Sequence, residues 1–301
     1  MLKNFGDAER HIKSLFQENA IINFNNEDCK ILISGKPTCS TGEPKTDVYV
    51  LIESINNKVQ HELKISIKKQ NADFLENKIS SKRAELLFGS DWKSIITNST
   101  SKIKNKFDER DLVYKVKSGK TNKGSITLGW KFELVNKLSG DLSGTILLSE
   151  DQALDVYAGI NLPPDKKNAT VNGTVIENSG IANYVLHGEL DSHKNASDVI
   201  NSIIPVETFI QQNSDIYFAC KALNYRTFES KFDGNRPLSV FVDWNIVDGK
   251  LTPTLIFDSP LDTKGNEVAE KLLNCLKAIN VSNTDDLNES NLSSLNFVVS
   301  K

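Results

Sequence analysis

The chain has 301 residues, of which 39% are hydrophobic and 25% are charged, and its net charge is -3. This length and composition are typical of a globular protein with one large domain or two modest ones. No run approaches the roughly 18 to 20 apolar residues of a membrane span, and the charged start does not resemble a signal peptide, so we expect a cytoplasmic protein with no membrane partner.

The charge is unevenly distributed along the chain. Between Lys58 and Lys123 there are 16 Lys and Arg against 8 Asp and Glu, a local charge of +8, which leaves 20 against 31, or -11, for the remainder. A basic stretch is usually a solvated surface, but it can also bind phosphates. The four cysteines and four histidines have no zinc-site spacing, so we expect reduced thiols and no structural zinc.

The first part of the chain is predicted to form a helix and then an antiparallel β-meander. The spacing of Ile12, Leu15 and Phe16 predicts an amphipathic helix over Asp7–Asn19. Three β-rich runs separated by turn-forming residues follow: Cys29–Gly35, Asp47–Ile55 and Val59–Lys69. Helical spacing returns over Asn71–Phe88, with Gly89 as its stop, and again over Trp92–Ile103.

The remainder is predicted to be mostly β. Strands are expected over Leu112–Lys117, Ser125–Val135, Gly144–Ser149 and Ile216–Tyr225, and a hairpin over Leu238–Ile246 and Leu251–Phe257 across Asp248-Gly249. Helices are expected near Ala196–Gln211 and over Asn266–Ala278, with a loose polar tail from Asn280. We therefore predict an α/β protein with a mixed central sheet flanked by helices. Its core would span residues 1–150 and a β-rich lobe residues 151–301, although a single compact domain is also open.

One predicted hairpin carries residues suited to phosphodiester chemistry. Asp47 opens one strand and Glu62-Leu63-Lys64 lies in the next, where Glu62 and Lys64 share a face. A two-residue turn at Asn56-Asn57 would pair Asp47 with Ser66, whereas a wider turn would bring Asp47 opposite Lys64 or Glu62. Converging carboxylates are tolerated chiefly around a divalent cation such as Mg²⁺. Sharing one ion therefore requires the wider turn, a bulge or a strong twist.

These residues resemble the PD-(D/E)XK nuclease superfamily, in the Pro44-Lys45-Thr46-Asp47 form of some type II restriction endonucleases, with Glu62-Leu63-Lys64 fifteen residues on. The resemblance covers residues 7 to about 118 and departs from the strict motif at Lys45-Thr46. It implies a restriction-endonuclease-like core of a helix, a three-strand meander, a helix and a strand. It also implies Mg²⁺ bound by Asp47, Glu62 and the Leu63 carbonyl, with Lys64 positioning the attacking water. Some members add a first-helix carboxylate, for which Glu9 and Glu18 are the candidates.

The predicted function is Mg²⁺-dependent cleavage of double-stranded DNA by a sequence-specific restriction enzyme. A repair, recombination or phage nuclease acting on structured DNA, and a non-enzymatic binding protein, remain open, as does assembly into a homodimer. Basic and amide side chains that could contact DNA, or simply be solvated, are Lys68, Lys69, Lys78, Lys82, Arg83, Asn224, Arg226, Lys231, Asn235 and Arg236. Trp92, Trp130 and Trp244 are expected to be core residues.

Overall fold

The computed structural model describes residues 5–69, 74–77, 79–213 and 215–301. Its α-helices are α1 (Phe5–Leu15), α2 (Ser81–Phe88), α3 (Trp92–Ser101), α4 (Lys104–Asp108), α5 (Glu150–Ala158), α6 (Pro164–Lys167), α7 (Ala196–Ile200), α8 (Val206–Gln212) and α9 (Gly265–Ala278). Its strands are β1 (Ile21–Phe24), β2 (Glu27–Gly35), β3 (Val48–Ser54), β4 (Gln60–Lys69), β5 (Phe74–Glu76), β6 (Val113–Tyr114), β7 (Ser125–Val135), β8 (Ser143–Thr145), β9 (Thr170–Val171), β10 (Thr174–Val175), β11 (Tyr184–Gly188), β12 (Ile204–Pro205), β13 (Tyr217–Arg226), β14 (Lys231–Phe232), β15 (Val240–Val247), β16 (Lys250–Ile256) and β17 (Val298–Val299).

The chain divides into two compact units, each built from two separate stretches. The first unit comprises Met1–Ala72 and Leu148–Ser214, and the second comprises Asp73–Leu147 and Asp215–Lys301. The chain therefore passes between the units near residues 72, 147 and 214. The predicted boundary at residue 150 lies close to the second of these passages.

The first unit contains a mixed six-stranded sheet in the order β1-β2-β3-β4-β11-β12. Strands β2, β3 and β4 form the antiparallel meander that the sequence predicts. Strand β11 then joins β4 in parallel, with Val185 beside Ser66 and His187 beside Lys68. The sheet is therefore mixed, and its parallel strand comes from a distant part of the sequence.

Helices cover both faces of this sheet. Because successive strand residues point to opposite faces, Ile65 and Ile67 of β4 share a face, where they form one apolar cluster with Ala8 and Ile12 of α1. The same cluster includes Val48, Val50, Ile52, Leu63 and Leu186. On the opposite face, the ring of Phe209 in α8 lies 5.8 Å from that of His187 and 5.5 Å from that of Tyr157 in α5. The unit is thus an α/β sandwich.

The second unit is built around a sheet whose main path is β14-β13-β7-β15-β16. Its long strands β7 and β13 pair antiparallel along their length. The predicted hairpin is formed by β15 and β16, and Asp248 and Gly249 at its turn have φ angles of 50° and 76°, as a two-residue type I′ turn requires. Trp130 and Trp244 are buried in this unit, at 3% and 0% exposure, and Trp92 is buried as well, which confirms the prediction for the tryptophans.

Two of the predicted helices are interrupted by strands. Within Asn71–Phe88, residues 74–76 form β5, which pairs with β7, and α2 begins only at Ser81 because the Ser80 side chain caps it by accepting from the Arg83 N–H. Residues 70–73 and 78 lie outside the described residues. The helix expected near Ala196–Gln211 is divided into α7 and α8 by β12, where Pro205 cannot donate to a continuous helix.

The segment after Asn280 is not a loose tail. Leu287 and Leu292 are buried, at 0% and 1% exposure, and β17 pairs in parallel with β6. Apolar side chains spaced through a polar sequence therefore anchor it. The sequence analysis also missed α5 and β11, and expected neither a helix nor a strand at those positions. None of the helices in the described part of the chain is both long enough and apolar enough to cross a membrane.

Candidate functional site

The β3–β4 register separates Asp47 from Glu62. Val48 pairs with Ile65 and Val50 with Leu63, while Asp47, just before β3, donates its N–H to the Ile65 carbonyl and accepts from the Ile67 N–H, so Asp47 lies beside Ile65–Ile67. The turn spans residues 55–58 and is closed by the Ser54 N–H, which donates to the Val59 carbonyl, so the two-residue turn is not formed, but the register is the one that turn would give and does not bring Asp47 near Glu62. At about 3.3 Å per residue, Glu62 lies about 13 Å along β4 from the position opposite Asp47. One ion cannot join these two carboxylates.

Glu62 and Lys64 instead belong to a network that joins β3, β4 and the start of β11. The Tyr49 hydroxyl donates to Glu62 Oε1 at 2.6 Å, and Lys64 Nζ lies 3.4 Å from Glu62 Oε2. The Asn183 side chain donates to the Glu62 carbonyl and accepts from the Lys64 N–H, both at 2.8 Å. Burial, followed by the bond to Glu62, raises the pKa of Tyr49. These contacts give both residues a structural role.

The Leu63 carbonyl is also unsuited to bind a metal. The carbonyls of Val59 and Ile65 accept from the N–H groups of Ser54 and Asp47, so they point toward β3. Carbonyls alternate in direction along a strand. The Leu63 carbonyl, at the same parity, therefore points into the β3–β4 ladder.

Asp47 is partly buried at the start of β3. Its Oδ2 accepts from the Ile67 N–H at 2.7 Å, and its own N–H donates to the Ile65 carbonyl at 2.9 Å. Burial raises the pKa of Asp47 to about 6; the charge of Glu9 adds to this increase, while Lys68, the Ile67 N–H and Lys36 oppose it. Asp47 therefore lies within electrostatic range of Glu9, Lys36 and Lys68.

Glu9 and Lys36 bring further charges to this end of the sheet. Glu9 projects from α1, is 7% exposed and forms an ion pair with the Lys36 ammonium. Burial lowers the pKa of Lys36, but the hydrogen bond and charge of Glu9 outweigh it, and with the charges of Glu43 and Asp47 the pKa is raised overall. Glu18, the other first-helix candidate, lies exposed beyond the end of α1 and is not part of this cluster.

The donors around Asp47 are compatible with a magnesium ion. The hydroxyls of Ser66 and Thr46, at 0% and 1% exposure, have no hydrogen-bond partner among the described residues. Across the same residues, no group of three or more His, Cys, Asp and Glu side chains is arranged to hold a metal. Mg²⁺ commonly uses one or two carboxylates and keeps several waters. Asp47 and Glu9 could therefore hold it, whereas the set of Asp47, Glu62 and the Leu63 carbonyl could not.

The other predicted contact residues are scattered. Lys68 lies at the site beside His187 of β11, whereas the side chain of Lys69 and all of Lys78 lie outside the described residues. In the second unit, Arg83 pairs with Glu76 at 2.7 Å, while Lys82, Lys231, Asn235 and Arg236 are exposed.

Asn224 and Arg226 are engaged within their own unit. Asn224 is 8% exposed and is bonded to Thr127 and Asp233. Arg226 pairs with Glu229 at 2.7 Å and with Asp233 at 3.0 Å. Their polar groups therefore stabilise the β13–β14 turn, so both are poor candidates for DNA contact.

The sequence analysis did not single out Lys36 or His187. Lys36 follows the last residue of β2, and His187 is an exposed residue of β11 placed next to Lys68 by a pairing distant in sequence. A register centred on Asn56-Asn57, which the structure has, could have indicated Ser66-Ile67-Lys68 as the segment beside Asp47. No local sequence pattern indicates that His187 lies beside Lys68.

No protein-family model, curated protein or solved structure matches the chain significantly. Evidence about the function of the chain therefore comes from its fold and from the residues at the end of the β2–β3–β4 meander.

Proposed function

We propose that the chain is a Mg²⁺-dependent endonuclease acting on double-stranded DNA as a sequence-specific restriction enzyme, with its chemistry at Asp47, Glu9 and Lys68. The observation that carries the proposal is that Asp47 lies beside the end of β4, where it accepts from the N–H of Ile67 next to Lys68, while Glu9 of α1 pairs with Lys36 at the end of the neighbouring β2. Hydrolysis of a phosphodiester needs an activated water and stabilisation of the charge that develops on the phosphate. Carboxylates that hold a metal ion, with a lysine nearby, can supply both. This proposal transfers the lysine role from Lys64 to Lys68.

The topology of the first unit supports a restriction-endonuclease-like core. Helix α1, the meander β2–β3–β4, helix α5 and strand β11 occur in the order helix, three strands, helix, strand, with β1 before the meander and α6, β9 and β10 between α5 and β11. Asp73–Leu147, part of the second unit, comes between β4 and α5. In this arrangement the start of β3 lies opposite the end of β4, which favours Lys68 over Lys64 as the partner of Asp47.

Each residue would have a distinct task. Asp47, held by the Ile67 N–H, and Glu9 would bind the ion. When bound, Mg²⁺ would lower the pKa of a water and polarise the phosphate. Lys68 would orient the attacking water and stabilise the charge that develops on the phosphate oxygens. Ser66 would offer its unpartnered hydroxyl to a water in the same shell.

The test is DNA cleavage by a matched pair of lysine variants. Wild type, Lys68→Ala and Lys64→Ala are incubated with unmethylated phage DNA with and without Mg²⁺, and the fragments are separated on a gel. We expect discrete Mg²⁺-dependent bands from wild type, at least about a hundredfold slower cleavage by Lys68→Ala, and near wild-type cleavage by Lys64→Ala. The reverse order of the two variants would restore the assignment to Lys64.

A substrate panel separates the related functions. Duplex, nicked and branched DNA are compared under the same conditions. Discrete cuts in duplex DNA support a restriction enzyme, and preferential cutting of nicked or branched DNA supports a repair, recombination or phage nuclease. DNA binding without cleavage of any substrate, in any divalent metal, would reject a nuclease in favour of a binding protein.

A further inference from the structure

Lys36 pairs with one carboxylate of the candidate site and follows β2 near the other. Its ammonium pairs with Glu9, whose side chain is 9% exposed, while the Lys36 side chain itself is 41% exposed. Gly35 pairs with Tyr49, so Lys36 follows opposite Val48 and next to Asp47. One cation therefore neutralises a nearly buried carboxylate and lies close to a second.

The counter-charge of Glu9 is carried on a movable side chain. A buried carboxylate needs a compensating cation, because an unpaired buried charge is strongly destabilising. Lysine supplies a point charge on a flexible four-carbon stem, so its ammonium can leave Glu9 without a change in the backbone. A divalent ion bound to Glu9 would need the same carboxylate oxygens.

We infer that Lys36 is an internal counter-ion that competes with the divalent cation for Glu9 and is displaced when the cation binds. The inference rests on the proposed function, because it takes Glu9 and Asp47 as the metal ligands. In the metal-free protein, the Lys36 ammonium reduces the repulsion between the Glu9 and Asp47 carboxylates. It also lowers the affinity of the protein for the metal. Once displaced, its ammonium is available at the edge of the site to an anionic substrate.

The first experiment measures Mn²⁺ binding to the full chain by titration calorimetry. Removing a unit charge close to the site should lower the Kd for Mn²⁺ by about fivefold or more in Lys36→Met. Lys36→Arg retains the charge and should stay within about twofold of wild type. If Lys36→Met does not fold, Lys36→Gln, which retains a polar end, takes its place.

A double-variant cycle separates direct competition from a general change of charge. If Lys36 acts through Glu9, Lys36→Met should have little effect on the Kd in a Glu9→Gln background. An equal gain in both backgrounds would mean that Lys36 acts only as a distant positive charge, and would overturn the inference.

A measurement on wild type tests the displacement itself. Trace acetylation followed by mass spectrometry should show faster modification of Lys36 when Mn²⁺ is added, with Lys104, which pairs with Asp108, as an unaffected control. Unchanged Lys36 reactivity overturns the inference. If wild type binds Mn²⁺ but Lys36→Met binds it no more tightly, only the inference fails. If wild type does not bind Mn²⁺, the proposed metal site fails with it.

Discussion

Asp47 combines a hydrogen bond from Ile67 with a pKa raised to about 6, chiefly by burial. Because the folded-state pKa lies above the ordinary value of 3.8, folding favours the protonated carboxyl. The ionised form therefore destabilises the metal-free protein. This destabilisation is absent below about pH 4, grows between about pH 4 and 6, and is complete above about pH 6. Under the proposed function, a cation-binding carboxylate would be maintained here at a cost in stability.

Replacing Asp47 should therefore stabilise the metal-free protein while removing its activity. Asp47→Asn retains an acceptor for the Ile67 N–H and carries no charge. We expect unfolding at pH 8 to require about 1 to 2 kcal/mol more than wild type, after discounting for partial exposure, and the difference to vanish near pH 4. Urea denaturation at both pH values measures this. Equal stability at pH 8 would contradict the account of Asp47.

Under the proposed function, the same carboxylate would give a pH dependence to metal binding. Protonation of Asp47 removes a ligand, so Mn²⁺ affinity in wild type should rise as the pH increases through about 6 and level off above about 7. Calorimetric titrations between pH 5 and 8 provide the measurement. Asp47→Asn should show weak binding at every pH, and a wild-type affinity that does not change over this range would count against Asp47 as a ligand.

Glu9 and Glu62 form a second matched pair. Glu9→Gln should slow cleavage by at least about a hundredfold, because loss of even an outer-shell partner of a metal commonly costs ten- to a hundredfold. Glu62→Gln retains an acceptor for Tyr49 and should leave cleavage within about threefold. Rates at saturating Mg²⁺ decide between them. A larger loss in Glu62→Gln would indicate that the resemblance assigns the metal ligand correctly.

At the scale of elements, Asn183 holds the junction of β4 and β11. Its side chain and backbone bond to Glu62 and Lys64 just before the parallel ladder begins. Asn183→Ala removes two side-chain bonds and should destabilise the protein by about 1 to 3 kcal/mol. Chemical denaturation measures the loss, with the exposed Asn235→Ala as the control. No loss would mean that water replaces these bonds without cost.

The meander could be predicted because its alternating apolar residues are a local signal. Leu63, Ile65 and Ile67 of β4 alternate with polar residues, β3 is a nearly continuous run of apolar and aromatic residues, and the observed strands lie within one or two residues of the predicted ones. Strand β11 could not be predicted in this way. It is a five-residue run ending in His187-Gly188, and its pairing with the sequence-distant β4 and with β12 makes it a strand.

The candidate site was predictable in part. Asp47 stands out because it follows Pro44 at the start of a strand, but a search for a carboxylate near a lysine leads to Glu62 and Lys64. The segment opposite Asp47 is Ser66-Ile67-Lys68, which contains no carboxylate. The second carboxylate of the site comes instead from α1. Register and tertiary packing, rather than spacing, bring Glu9 and Lys68 toward Asp47.

For the whole molecule, the interleaved division predicts which fragments can fold. A fragment of residues 1–150 lacks β11 and α8 and nearly all of α5, which pair with β4 or cover the sheet. We expect it to show no cooperative thermal transition by circular dichroism. Residues 1–72 joined to 148–214 by a flexible linker of about ten residues should melt cooperatively. A cooperative transition in the 1–150 fragment would contradict this division.

The parallel pairing of β4 with β11 also affects how the protein is made. Tyr184 leaves the ribosome roughly 115 residues after Lys69, so at about 5 to 20 residues per second the nascent chain carries an unpaired β4 edge for about 6 to 23 seconds. An unpaired apolar strand is a template for association with other chains. We therefore expect the nascent chain to be more prone to associate with other chains than the finished fold, in which β11 covers the β4 edge.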